Sequence, residues 1–509
     1  MGICVARDLK KQDFKIIPII GDGALTGGMA LEALNNIGQT KKSILIILND
    51  NEMSISPNVG ALHNHLGRLR TNKGYNRLKH DLEHLLLKIP GIGKRFIKTL
   101  ERVKDSLKYL VVSGVFFESL GLTYLGPVNG HSFEELFEVF KQACRKEGPV
   151  IIHVVTKKGY GYKPAEDDAV LFHGVSPYKI ESGLSLAKKE NVLTYPDVVG
   201  KTLITLAKEN EKIVVITPAM LAGSKLDEFS RLFPTRTFDV GIAEQHAVTF
   251  AAGLSLSGMK PFVVIYSTFL QRAYDQVIHD VCRQKLNVVF CIDRAGFVGE
   301  DGDTHQGLYD IGFLRIIPNI VLCMPKDENE LQHMLFTALK HDKGPIAIRY
   351  SKKKGLGVAL DKSFKVLPLG KWEILTNGND IAVLAVGTMV SLALEASKKL
   401  LEEGIFLKVI NCRFLKPLDE EVLDKLAEEN MPLITVEEAV VCGGFGSSIL
   451  EYFAKKQKRL IIKTLGCKDI FIDHGRIEEQ LAEASLTINE LLLEIKKIRY
   501  EVVGEKGKT

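Results

Sequence analysis

The stretch Ile16-Ile17-Pro18-Ile19-Ile20-Gly21-Asp22-Gly23-Ala24 sets the reading of this chain, together with Ile44-Leu45-Ile46-Ile47-Leu48-Asn49-Asp50-Asn51-Glu52-Met53. Each begins as an apolar run without polar alternation, as expected of parallel strands covered on both faces. Residues 27–38, between them, carry helical periodicity. The unit reads as β-α-β, and its polar residues fall at the carboxyl ends of both strands, the edge at which open α/β sheets bind ligands. Asp22 and Asn51 can each offer an oxygen to a hard cation, and Mg²⁺ takes a few protein oxygens together with diphosphate oxygens. The glycines let the backbone come close to phosphates. Gly-Asp-Gly alone would read as a strand–turn–helix with Asp as N-cap. Its pairing with Asn-Asp-Asn at a second strand end favours the metal–diphosphate reading.

The same alternation runs along almost the whole chain. Apolar runs at 150–155, 213–217, 262–266, 288–293, 320–324, 346–350, 381–386, 407–411, 433–437 and 460–464 alternate with helical patterns such as 132–146, 245–256 and 327–340. This pattern predicts right-handed β-α-β units and an α/β protein of three doubly wound, mostly parallel-sheet domains. The expected domains are 1–160, 195–352 and 370–500, with a Gly/Pro/Lys-rich linker over 161–194 and a shorter one at 351–370. Residues 54–112 begin Asn-rich and turn basic, and read as an insertion in the first domain. The tail from Gly504 is expected to be disordered.

Composition narrows the class. The 509 residues are 46% hydrophobic and 25% charged, with a net charge of +5, the profile of a soluble globular protein. The charge is spread along the chain, so no nucleic-acid partner is implied. No apolar run approaches the roughly 18 residues of a membrane span. The eight cysteines are scattered, and they read as buried thiols in a reducing compartment rather than disulfides or zinc ligands.

A second motif is Asp239-Val240-Gly241-Ile242-Ala243-Glu244-Gln245-His246-Ala247. Here a strand end runs into a helix whose first turn holds a glutamate among small apolar residues. A buried carboxylate of this kind needs a partner and should hold its proton more tightly than an exposed one. Taken together, the two motifs resemble those of the thiamine-diphosphate enzymes. The flanking text Leu125-Gly126-Pro127-Val128-Asn129-Gly130-His131, Thr156-Lys157-Lys158-Gly159-Tyr160-Gly161-Tyr162, Tyr266-Ser267-Thr268-Phe269 and Asp303-Thr304-His305-Gln306-Gly307 is similar to the 1-deoxy-D-xylulose-5-phosphate synthase family, in collinear order over essentially the whole chain.

The resemblance implies a transketolase-type fold, with thiamine diphosphate and Mg²⁺ as cofactors and pyruvate and D-glyceraldehyde 3-phosphate as substrates. It also implies a homodimer in a bacterial cytoplasm. Asp22, Asn51 and the Met53 carbonyl would be the metal ligands, and Gly23, Ala24, Asn51, Tyr162, Glu244 and Phe269 the cofactor contacts. Tyr266, Arg272, Arg294, Arg349 and Asp301 would bind substrate. His305 and His173 would handle protons beside Glu244. The Cys442-Gly443-Gly444-Phe445-Gly446 run lacks the acidic partner of a dinucleotide site.

The resemblance has one gap. Family members carry about 110–130 residues before the Gly-Asp-Gly motif, including Gly-His-Gln and Gly-His-Ser-Ser segments that contact the diphosphate, so the first domain is expected to be incomplete. A misassigned start, a fragment and a real truncation would each explain it. A real truncation would bind cofactor weakly, turn over little and expose a parallel sheet edge prone to aggregation. A transketolase, a 2-oxo-acid dehydrogenase component and a non-catalytic homologue are the competing readings.

Overall fold

The structure, a computed structural model, describes residues 1–54, 58–71, 114–186 and 192–506. Most of the expected insertion at 54–112 therefore lies outside the described residues, as do 507–509 of the expected tail. The chain divides into two units, Met1–Lys189 with Val240–Ala243, and Glu190–Asp239 with Glu244–Thr509.

In the first unit, β1 (Ile19–Gly21), β2 (Ile44–Asp50), β3 (Thr123–Asn129) and β4 (Pro149–Val155) form one sheet in the order β1-β2-β4-β3. All of its pairings are parallel. The helix Gly28–Thr40 turns Leu34 and Ile37 inward against Leu48 and Ile151, and Phe117 joins them from the helix Val115–Ser119. The first strand was expected to be buried, yet β1 is an edge with Ile19 72% exposed. It pairs with β2 on one side, and among the described residues no strand lies on the other. The strand β3 was not foreseen, because Gly126 and Pro127 interrupt its apolar run. The structure resolves the conflict with a register shift between Leu125 and Val128.

The second unit holds two sheets. Its strands are β5 (Ile213–Thr217), β6 (Thr237–Asp239), β7 (Lys260–Tyr266), β8 (Val289–Asp293), β9 (Val321–Cys323), β10 (Ile346–Arg349), β11 (Glu373–Ile374), β12 (Ile381–Ala385), β13 (Leu407–Asn411), β14 (Phe414–Lys416), β15 (Leu433–Val440) and β16 (Ile462–Cys467). One sheet runs β14-β9-β10-β8-β7-β5-β6 and the other β11-β13-β12-β15-β16. Only the short β14 and β11 pair antiparallel. Strands such as β5 and β8 are buried at every position, which is why their sequence shows no alternation. The helices Glu244–Leu256 and Glu328–Lys340 fall where the periodicity places them. The linker region is partly ordered, with a helix at Lys163–Asp167 and a bridge between Tyr178 and Ser185. The tail departs from expectation, since the helix Ile488–Lys506 continues past Gly504. No helix among the described residues is long and apolar enough to cross a membrane.

Candidate active site

The β1–β2 register, Gly21↔Asn49, brings the carboxyl ends of both strands level. Asp22, 3% exposed, opens the short helix Asp22–Leu25. Its Oδ2 accepts from Asn58 Nδ2 at 2.8 Å and from the Glu52 amide at 2.9 Å. Asp50, fully buried, accepts from that same amide through Oδ1 at 3.3 Å. Burial first, then the hydrogen bond and charge of Asp50, push the Asp22 carboxyl up to about 6. Two carboxylates meeting away from water call for a shared proton or a cation. Glu52 sits in the left-handed region at φ +66, and the Asn51 Oδ1 accepts from the Met53 amide at 3.1 Å.

A Cβ on Gly23 would lie 2.9 Å from both Asn58 Oδ1 and Ser54 Cβ, so a larger residue there would have to displace those side chains. Ala24 beside it is exposed. Among the described residues no three His, Cys, Asp or Glu side chains cluster as a metal site. The oxygens of Asp22 and Asn51 suit Mg²⁺ completed by phosphate oxygens and do not suit zinc.

Lys158 was not anticipated. Its Nζ donates to Ser54 O at 2.7 Å and stands 2.7 Å from His173 Nδ1. Burial lowers its pKa while the charge of Asp22 opposes that. His173 is held below its ordinary value by burial and then by Lys158. This places an ammonium beside the Gly-Asp-Gly turn, as an anionic ligand would require. The Tyr162 hydroxyl donates to Ile180 O at 2.7 Å, and its ring packs against Phe172 and Tyr178.

In the second unit, Glu244 starts its helix at 2% exposure. Burial raises its pKa, and its own backbone amide and Arg272 pull the other way. Arg272 Nη1 stands 2.9 Å from Oε2, an ion pair by distance. It is not aligned as a hydrogen bond, so this buried oxygen keeps its hydrogen-bonding capacity. An amphoteric ring nitrogen would meet that need, so the residue fits the aminopyrimidine of thiamine diphosphate.

Tyr266 stacks on Phe269, with ring centres 5.3 Å apart, and Phe269 meets the His305 ring edge-on at 5.5 Å. Arg294 lies over the Tyr266 ring at 4.3 Å. Its Nη1 pairs with the fully buried Asp293 at 2.6 Å, while its Nε is buried with no partner. His305 Nδ1 lies 2.9 Å from Thr304 Oγ1. Asp301 meets Lys352 Nζ at 2.8 Å. Its charge reaches both Tyr266 and Arg294. The structure thus joins Tyr266, Phe269, Arg294, Asp301 and His305 in one cluster. Lys352 completes it; the sequence reading passed over this residue inside a lysine run taken for a linker.

Two arginines are placed differently from the rest. Arg272 faces Glu244. Arg349 is completely buried, with Nε 3.1 Å and Nη2 3.0 Å from Asp310, and it donates to Gly307 O, Glu438 O and Met324 Sδ. Every nitrogen of Arg349 is engaged within the core, so the expected contact with a substrate phosphate finds no support in its surroundings.

Known families match three successive segments of the chain. Residues 1–156 match the 1-deoxy-D-xylulose-5-phosphate synthase family, 191–356 the transketolase pyrimidine binding domain and 370–491 the transketolase C-terminal domain. Curated 1-deoxy-D-xylulose-5-phosphate synthases of Geobacillus sp. (strain WCH70) and Geobacillus thermodenitrificans are 57% and 58% identical over 98% of this chain and 79% of their own length. A solved split-gene transketolase, described as an inactive β4 tetramer, is 31% identical over 60% of this chain and 98% of its own, with a TM-score of 0.54. The transketolase of Campylobacter jejuni shares the fold over 98% of this chain and 80% of its own at 19% identity, with a TM-score of 0.53. Identity of this extent, maintained from one end to the other, shows that the chain belongs to the 1-deoxy-D-xylulose-5-phosphate synthase family, transketolase-class transferases dependent on thiamine diphosphate and Mg²⁺.

Proposed function

We propose that this chain joins pyruvate to D-glyceraldehyde 3-phosphate with loss of CO₂, for isoprenoid precursor and thiamine synthesis, and that each of its two units contributes its own set of residues. Residues 1–160 would serve diphosphate and metal, 195–352 the pyrimidine, and 370–500 would form the transketolase C-terminal-like domain, with 161–194 as linker. Asp22, Asn51 and the Met53 carbonyl would hold Mg²⁺, with Gly23 and Ala24 against the diphosphate, Tyr162 as a further cofactor contact and Lys158 supplying positive charge. When bound, thiamine diphosphate supplies an acidic thiazolium carbon and a sink for the electrons freed with CO₂.

Burial raises the proton affinity of the Glu244 carboxyl that Arg272 orients, which suits a group that exchanges hydrogen with a cofactor base. Phe269 would pack on the ring that Glu244 holds. Arg294 and Lys352 offer cations for the triose phosphate, Arg294 through its unmet Nε, with Tyr266 and Asp301 framing them. His305, fixed at Nδ1 by Thr304, and His173 beside Lys158 would move protons at substrate oxygens. Arg349 serves the fold. A homodimer in a bacterial cytoplasm fits the family and its bacterial members, and light scattering of the purified protein would test the dimer.

The observation that carries this reading is the buried Glu244 carboxyl, whose Oε2 meets the Arg272 guanidinium by charge at 2.9 Å without an aligned hydrogen bond. Thermal melting with millimolar thiamine diphosphate and Mg²⁺ tests it. A ligand a hundredfold above its Kd adds about 2.7 kcal/mol of stability, so the melting temperature should rise with both ligands together and not in D22A. An unchanged melting temperature in the unmodified protein would overturn the reading.

A further inference from the structure

We propose that Tyr124, His153 and Asp50 form a positioning relay that fixes the turn at Glu52, and through that turn sets the affinity for the divalent cation. The inference rests on Asp22 and Asn51 being its ligands. A histidine inside a fully apolar strand is an expensive choice, and β4 buries His153 between Ile152 and Val154 at 0% exposure. Both of its nitrogens are used. Nε2 lies 2.8 Å from Asp50 Oδ2, and Nδ1 lies 2.8 Å from the Tyr124 hydroxyl. Either tautomer spends both ring nitrogens within the sheet, because the Tyr124 hydroxyl can donate to or accept from Nδ1.

The three residues lie on one face of three adjacent strands. The register pairs Leu48 with His153, Asp50 with Val155 and Tyr124 with Ile151, which places all three side chains on the same side of the pleat. The far end is rigidly seated. Phe117 stacks on Tyr124 at 5.8 Å with the rings 5° from parallel, and a Cβ on Gly114 would come within 2.5 Å of the Tyr124 ring. The hydroxyl therefore has one direction in which to point.

The near end meets the metal turn. Asp50 Oδ1 and Asp22 Oδ2 both accept from the Glu52 amide. Glu52 is left-handed at φ +66, a conformation that a side-chain-bearing residue disfavours and that persists only where its surroundings over-determine it. The two carboxylates supply that constraint, and His153 fixes one of them. With Glu52 so held, the Asn51 side chain and the Met53 carbonyl keep their places on either side. An apolar trio would fill the same space without the cost of burying a carboxylate. The cost is explained if the relay orients the metal turn.

The test is a titration of Mn²⁺, a spectroscopically visible substitute for Mg²⁺, with thiamine diphosphate present. It is followed by electron paramagnetic resonance on the full chain, alongside melting of the metal-free protein. H153L should weaken Mn²⁺ binding about tenfold or more, the range known for partners that orient metal ligands. H153Q, which places an amide donor near the former Nε2, should recover most of that. Y124F should weaken binding about fivefold, the equivalent of one net hydrogen bond. A residue that merely fills the core would lower the melting temperature and leave affinity alone. Unchanged affinity in folded H153L overturns the relay. If H153L does not fold, unchanged affinity in Y124F overturns it instead. No Mn²⁺ binding to the unmodified protein, or binding retained in D22N, overturns the metal reading itself and the relay with it.

Discussion

Two buried acids stand near helix starts in the second unit, and their surroundings treat them in opposite ways. Glu437 is completely buried beside the glycine-rich turn that opens the helix Phe445–Lys455, and the Phe445 and Gly446 amides donate to it at 2.7 and 2.8 Å. Glu244, at 2% exposure, has an oxygen that the Arg272 guanidinium approaches at 2.9 Å without an aligned hydrogen bond. Two arginines at the ends of the neighbouring strands β8 and β10 repeat the contrast. Arg349 has all its nitrogens engaged, whereas Arg294, just past β8, has a buried Nε with no partner. A buried ionisable group that is fully met holds the fold together. One that is left partly unmet bears a cost, and a ligand from outside can remove it. The contrast also explains why the glycine run 442–446 is no phosphate site: its helix amides are already occupied by Glu437.

The contrast can be broken at several points. The largest effect is expected for R349M, which leaves Asp310 as an unpaired charge in the core and should cost about 3–5 kcal/mol, read as a lower urea midpoint. At a temperature where that variant is folded, its KM for the triose phosphate should be unchanged. A raised KM with normal stability would reverse the roles assigned to the two arginines. R294K keeps a cation for Asp293 but loses the planar fork, and its KM for D-glyceraldehyde 3-phosphate should rise about tenfold, near 1.4 kcal/mol, with little change in the midpoint.

The smallest effect concerns pH. Burial raises Glu437 from 4.5 to about 7. An acid with a raised pKa keeps its proton longer when folded than when unfolded. Its contribution is therefore greatest below the unfolded value of 4.5, falls as pH rises from 4.5 to about 7, and is constant above that. E437Q should flatten the decline in unfolding free energy across this window while leaving turnover within a few-fold. A loss of turnover as deep as that of a Glu244 variant would end the contrast between the two acids.

Much of this was legible in the sequence, and the failures have physical causes. Among the described residues, apolar runs predicted every strand longer than five residues except β3, whose apolar run is interrupted by Gly126 and Pro127. The short strands β6, β11 and β14 have too few residues to show a pattern. The Gly-Asp-Gly and Glu244 motifs were legible because turn chemistry and a lone acid among alanines are local features. Whether an arginine after a strand faces a site or the core is not local. Arg294 and Arg349 read alike, and only the three-dimensional packing of Asp310 and Met324 around Arg349 separates them. His153 escaped notice for the same reason, since its partners come from two other strands, and Lys352 was hidden among its lysine neighbours.

The most direct measurement is formation of 1-deoxy-D-xylulose 5-phosphate and CO₂ from pyruvate and D-glyceraldehyde 3-phosphate by the purified chain with thiamine diphosphate and Mg²⁺, in parallel with E244Q. A positioned acid or base contributes about 10²–10⁴ in rate. The account therefore predicts product from the unmodified chain and at least about a hundredfold less from a folded, cofactor-bound E244Q. Equal turnover by the two proteins, or none by the cofactor-loaded unmodified chain, would contradict it.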